Sequence, residues 1–279
     1  MQKVFAKFQY YRVATIIFLL ATFAGCAPKE ETGAPTSSAD DYQLTRELEP
    51  QIIEQRGTTA APRTTEYDWM SVERWNQMHA EDVAIAADGG VDLLFIGDSI
   101  TEGWNSELWG KYFAPFNAAN FGIGGDHTGN LLWRLENGAT GTLQPKVVVL
   151  LIGVNNFGHL NETPEQIFAG VTAVVNALQT AFPTAQILVN GVFPYGQAAD
   201  TPERAQVAEL NKLLSTLNER ERVVFEDHGH LLLQDDGTIS AETMGDYLHL
   251  TEKGYEIWAE AMLPRLYAWL DPESADRAP

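Results

Sequence analysis

The sequence predicts an α/β fold in which a mostly parallel sheet is covered by helices on both faces. Three observations predict it. Short β-branched apolar runs alternate with longer segments of helical periodicity. The runs are apolar almost throughout, as strands buried on both faces must be. The chain holds one Cys in 279 residues, so no intrachain disulfide can stand in for an apolar core.

The elements follow in order. Apolar residues at Trp69, Val72, Trp75, Met78, Val83 and Ala86 have helical spacing and predict a helix over residues 69–87. The run at 91–96 is the first strand, and a weaker run at 116–121 is the second. Strands are predicted at 147–152, 187–192 and 223–225, which brings the sheet to five. Residues 164–181 and 203–218 carry helical pattern between them. A closing helix over 252–269 sets Gly254, Tyr255, Trp258, Ala261 and Met262 along its length. In open parallel sheets, chemistry gathers at the carboxyl ends of the strands.

Composition excludes some functions. With 18 Lys plus Arg against 38 Asp plus Glu, the net charge is −20. Nucleic-acid backbones need clustered basic residues, so no nucleic-acid partner is expected. A hydrophobic content of 45% is too high for a wholly disordered chain. No Cys/His set has zinc-ligand spacing, and no metal is expected.

The N-terminus reads as an address. Lys3, Lys7 and Arg12 precede an apolar run at 13–24, with no acidic residue before Glu30. A spanning helix needs about 20 apolar residues, so this shorter run fits the apolar region of a secretory signal. The stretch Phe23-Ala24-Gly25-Cys26 resembles the bacterial lipobox. That resemblance implies cleavage after residue 25 and lipidation of Cys26, hence an extracytoplasmic membrane anchor. Ala27, where an inner-membrane lipoprotein has Asp, implies the outer membrane of a diderm cell. The alternatives are a plain cleaved signal, giving a secreted protein, and a retained signal anchor. Residues 26–66, rich in Pro, Thr, Ser and charge, read as a flexible tether. The folded domain is expected at 67–271, with a disordered tail at 272–279.

Four runs carry chemistry. The first strand ends in Gly97-Asp98-Ser99. A Ser directly after a buried strand can expose its hydroxyl at the sheet edge, although Ser and Asp also cap helices there. The next residues do not form the G-x-S-x-G elbow, because residue 101 is Thr. The second run, Gly122-Ile123-Gly124-Gly125-Asp126, leaves backbone N–H groups able to face an anion. A phosphate loop is the rival reading, but no Lys-Ser/Thr follows. The third, Gly153-Val154-Asn155-Asn156, offers amides for a helix cap or for a developing oxyanion. The fourth, Asp246-Tyr247-Leu248-His249, puts a carboxylate three residues from an imidazole. The carboxylate can fix the ring's tautomer and leave its other nitrogen as a base.

Taken together, the four runs resemble the SGNH hydrolases, also called the GDSL family. The likeness spans roughly residues 68–270. It is strongest to the branch containing the catalytic subunits of intracellular platelet-activating-factor acetylhydrolase. The stretches Leu132-Trp133-Arg134-Leu135-Glu136-Asn137-Gly138 and Pro145-Lys146-Val147 also resemble that branch. The resemblance implies a three-layer α/β/α sandwich of flavodoxin-like topology and a serine esterase without cofactor. It implies Ser99 as nucleophile and Asp246 and His249 as the rest of a triad. Gly125 and Asn155, with the Ser99 N–H, would form the oxyanion hole. Val154 departs from the Thr common in the branch and touches none of these roles. A possible homodimer follows from the same likeness.

The expected substrate is a small acyl ester, with acetyl on a glycan preferred. The alternatives are a lysophospholipase or thioesterase acting on lipid, and a glycan-binding lipoprotein without turnover. His127 and His159 are candidate pocket residues, while His79, His228 and His230 read as structural or exposed. Trp104 and Tyr247 are candidate pocket walls, and Glu102 reads as surface.

Overall fold

The protein, analysed as a computed structural model, is described over residues 56–271. Cys26, the apolar run before it and residues 272–279 lie outside the described residues. Among those described, no helix is long and apolar enough to cross a membrane.

Five strands, β1 (Leu93–Gly97), β2 (Ala118–Gly122), β3 (Val147–Leu151), β4 (Gln186–Asn190) and β5 (Val223–Glu226), form one parallel sheet. Their order is β2-β1-β3-β4-β5. Every residue of β1 and β3 is buried, because helices cover both sides of the central strands. The helices are α1 (Val72–Asp88), α2 (Ser99–Glu102), α3 (Ser106–Tyr112), α4 (Thr128–Arg134), α5 (Pro164–Ala181), α6 (Pro202–Leu214) and α7 (Glu252–Leu270). Of these, α4 packs on α5 and α5 on α6, while α3 packs on α7. This is the predicted α/β/α sandwich.

Local chemistry sets the element ends. The first helix begins at Val72, not at 69, because the Ser71 hydroxyl accepts from the Arg74 N–H at 3.0 Å and caps it. Trp69 is thereby left outside the helix. The second strand begins at Ala118, later than expected. Pro115 sits in a 3₁₀ turn that closes on Asn117 in the left-handed region (φ 51°), and extended backbone resumes only after it. Thr163 and Gln166 form a reciprocal capping box at α5, with Pro164 as its first residue. The predicted 203–218 helix ends at Leu214 and tightens into a 3₁₀ turn over Ser215–Glu219.

The domain also begins earlier than expected. Residues 56–66 fall in the predicted tether, yet they lie as a strap along the start of α4. The Gly57 carbonyl accepts from Thr128 Oγ1 (2.8 Å), and the Ala61 carbonyl accepts from Asn130 Nδ2 (3.0 Å). The Ala61 N–H donates to the Gly129 carbonyl, and Arg63 is buried. Composition missed this because the strap is held by polar bonds and one charge, not by apolar pattern.

Candidate active site

The site forms where β1, β2 and β3 end. Gly97 and Gly122 are register partners at the ends of β1 and β2. A Cβ on Gly122 would meet the Glu102 backbone nitrogen at 2.2 Å, and one on Gly97 would meet the Leu151 carbonyl oxygen at the same distance. Bare backbone there lets α2 settle directly on the sheet edge. Asp98 caps α2 by accepting from the Ile100 N–H at 3.0 Å, so Ser99 becomes its first residue. Burial pushes the Asp98 carboxyl up to about 7.

Ser99 Oγ lies 2.9 Å from His249 Nε2, and His249 Nδ1 lies 2.8 Å from Asp246 Oδ2. The loop carrying the last two residues is shaped by Tyr247, a non-glycine residue in the left-handed region (φ 63°). This turn lets Asp246 Oδ1 accept from the N–H groups of Leu248 (3.0 Å) and His249 (2.7 Å). Burial favours the neutral acid at Asp246. The bonds from the His249 ring and from the two N–H groups outweigh it and hold the carboxyl well below its usual range. The bond to Asp246 raises the His249 pKa above that of a free imidazole, against the opposing pull of burial.

The glycine loop follows β2, the strand beside β1. Gly125 is in the left-handed region (φ 74°), where a side chain is strained, and a Cβ would lie 2.5 Å from Trp69. Neither the Gly125 N–H nor the Ser99 N–H has a protein acceptor among the described residues. Asn155 Nδ2 spends one proton on the Asp126 carbonyl (2.9 Å), which leaves the second to donate elsewhere.

The loop is braced beneath by buried charge. Asp126 accepts from Trp75 Nε1 (2.6 Å) and Arg134 Nη1 (2.8 Å). Arg134 Nη2 reaches Asp82 (2.6 Å) and the Phe121 carbonyl (2.7 Å). Burial pushes Asp82 up to about 7, against the pull of Arg134. At the rim, Tyr67 and Trp69 stack at 4.9 Å, and Tyr67 also stacks on His159 with its hydroxyl 3.2 Å from Nδ1. A cavity of about 460 Å³ opens beside Gly125, lined by Arg56, Arg63, Tyr67, His127 and Asn130 among others.

Thus Ser99, His249 and Asp246 meet as a relay, and Gly125 and Asn155 lie in the loops that follow the strands on either side of β1. His127 lines the cavity as expected. It also caps α4 by accepting from the Gly129 and Asn130 N–H groups, and burial lowers its pKa to about 4. His159 sits against Tyr67. His79 and His230 bond to the Asn137 and Asp227 carbonyls, and His228 Nε2 lies 3.2 Å from Glu226, as structural residues do. Two expectations are corrected. Trp104 is no pocket wall but a core residue, packed between Phe113, Tyr255 and Trp258. Glu102 is not a surface residue, since it accepts from the Gly124 N–H at 2.6 Å. Its place three residues after Ser99 on the same helical turn is the signal that would have found it. Arg63 and Trp69 carry no such signal.

A hydroxyl, an imidazole and a carboxylate joined in one hydrogen-bonded chain, with free N–H donors at the neighbouring strand ends, define a serine hydrolase class of site. The GDSL-like lipase/acylhydrolase family model matches residues 95–257. The chain is 38% identical over 208 residues to the human platelet-activating factor acetylhydrolase IB subunit alpha1, covering 74% of this chain and 88% of that one. It therefore belongs to the GDSL-like lipase/acylhydrolase family and is an ester hydrolase of the SGNH type. Solved structures share the fold. One described as a platelet activating factor from Streptococcus pneumonia has a TM-score of 0.61 at 20% identity, over 81% of this chain and 99% of that one. A mutant of the acetyl-xylooligosaccharide esterase from Geobacillus Stearmophilus has a TM-score of 0.50 at 20% identity, over 64% and 95%.

Proposed function

We propose that the protein removes short acyl groups, acetyl foremost, from carbohydrate esters through an acyl-enzyme on Ser99. The observation that carries the catalytic part is the unbroken chain Ser99 Oγ–His249 Nε2 (2.9 Å) and His249 Nδ1–Asp246 Oδ2 (2.8 Å). Asp246 accepts a hydrogen bond from Nδ1–H and keeps Nε2 free as a base. His249 takes the Ser99 proton as Oγ attacks the ester carbonyl. The new oxyanion accepts from the N–H groups of Ser99 and Gly125 and from the free proton of Asn155 Nδ2. His249 then protonates the leaving alcohol, and water repeats the sequence to free the acid.

The sugar preference rests on the rim. Trp69 is 55% exposed beside Gly125 and offers a flat aromatic surface to a pyranose ring. The adjoining cavity mixes Arg, Thr, Asn and His side chains with Ala61, Pro62, Tyr67 and Leu160, and its polar groups can bond sugar hydroxyls. A structural neighbour named for acetyl-xylooligosaccharides fits this reading. The named lipid specificity of the relatives favours a second reading, a lipid acylhydrolase. The Cys26 motif supports an extracytoplasmic, lipid-anchored protein, where glycan esters are accessible.

Ser99→Ala assayed on p-nitrophenyl acetate tests the nucleophile, and activity is expected to fall to background. Turnover at the wild-type rate would remove Ser99 from that role. Turnover only of p-nitrophenyl esters of about eight carbons or more would exchange the glycan reading for the lipid one.

A further inference from the structure

The strap carries a charge into the site from outside the family-matched region. Arg63 is 5% exposed and precedes the matched residues 95–257. Its Nη2 donates to the Gly124 carbonyl at 2.6 Å. That carbonyl and the Gly125 N–H are the two ends of one peptide unit. A cationic donor on the oxygen draws density through the amide resonance and makes the N–H at the other end more positive.

A bland role for Arg63 would be to neutralise Asp126. Distances argue against it. Asp126 already has Trp75 at 2.6 Å and Arg134 at 2.8 Å, whereas Arg63 reaches it only at 3.5 Å. The short bond goes to the peptide. The guanidinium is also clamped, lying 5.4 Å from the Tyr67 ring centre and 5.9 Å from that of Trp69. From the other side, Glu102 holds the Gly124 N–H at 2.6 Å, so the two peptides flanking Gly124 are fixed in orientation.

We propose that Arg63 is a positioning residue of the oxyanion hole: it orients and polarises the Gly124–Gly125 peptide so that the Gly125 N–H meets the tetrahedral oxyanion. This rests on the reading of Gly125 as an oxyanion donor. The ester carbonyl carries less charge than the oxyanion, so the benefit falls mainly on the transition state. On p-nitrophenyl acetate, which brings no sugar to the cavity that Arg63 lines, the effect of Arg63 thus falls on kcat.

The test uses the full chain with Arg63→Met, Arg63→Gln and Arg63→Lys on p-nitrophenyl acetate. A trifluoromethyl ketone, which adds Ser99 to form a tetrahedral adduct, serves as a second probe. Arg63→Met is expected to lower kcat by about 10- to 100-fold, with KM within about twofold. The ketone's inhibition constant should rise in step with the fall in kcat/KM. Arg63→Gln keeps a neutral donor and should fall between. Arg63→Lys restores charge and should recover most of the rate. If Arg63→Met fails to fold, the Gln and Lys variants carry the same comparison. Wild-type kcat and ketone affinity in Arg63→Gln would overturn the proposal. So would a loss of melting temperature with both constants unchanged. Ser99→Ala is run beside them. If it abolishes turnover while the Arg63 variants stay at wild-type rates, only the Arg63 role fails. If Ser99→Ala remains active, the esterase reading itself fails.

Discussion

The two halves of the site are built in opposite ways. The glycine-loop half is buried and cross-braced: Trp75 and Asp82 on α1, Arg134 on α4 and Asp126 in the loop bond to one another with little solvent between them. The relay half is local and wet. Asp246 is exposed, and its bonds reach no further than His249, three residues on. The difference follows the chemistry. Oxyanion donors must be in place before charge develops, because reorganising them during reaction would cost rate. An acid–base pair must exchange protons and admit water for the second half-reaction, so access to solvent helps it.

The largest test breaks the buried half. Arg134→Met leaves Asp82 and Asp126 without their main partner, and removing one member of a buried ion pair costs about 3–5 kcal/mol. Urea unfolding should show a loss of that size; a loss below about 1 kcal/mol would mean the brace is not structural. Next, Asp246→Asn spares the fold and should lower kcat by about 10²–10⁴-fold. It should also move the acid limb of the pH–rate profile. In the wild type, His249 must lose its proton to act, and Asp246 raises its pKa. The limb is therefore expected above the free-imidazole value of about 6.5. In Asp246→Asn that support is gone while burial remains, so the midpoint should shift to lower pH. A shift upward would contradict the assignment. The smallest effect is expected at the rim. Trp69→Ala should raise KM for acetylated xylo-oligosaccharides about 3- to 10-fold, as loss of uniform binding does. On p-nitrophenyl acetate the same variant should cost less than Arg63→Met, because Tyr67 still stacks on the guanidinium.

Legibility in the sequence divides along a similar line. Ser99, Gly125 and Asn155 follow apolar strands in short runs, so periodicity and strand order place them at one sheet edge. Asp246 and His249 are three residues apart and reveal their pairing locally. The brace is not legible in this way. Arg63 bonds to a carbonyl 61 residues later, and Trp75 to a carboxylate 51 residues later. No local period records such meetings. Trp104 shows the converse problem. Its nearness to Ser99 in sequence suggests a pocket wall, but α2 turns it inward among Phe113, Tyr255 and Trp258. The strap was misplaced because Thr and Pro signal a linker, and the partners that hold it, at the start of α4 and in the glycine loop, are distant in sequence.

The paired glycines that end β1 and β2 bear on how such a protein can diverge. Because the turn carrying Ser99 rests its main chain on Gly122, and Gly97 lies bare against the Leu151 carbonyl and the Thr101 side chain, no side chain of β1 or β2 acts there as a spacer. Core residues further down the strands can be exchanged in size over many generations without that edge being reset. The separation between hydroxyl and glycine loop is inherited as a property of the backbone, and sequence drift in the interior leaves it largely undisturbed.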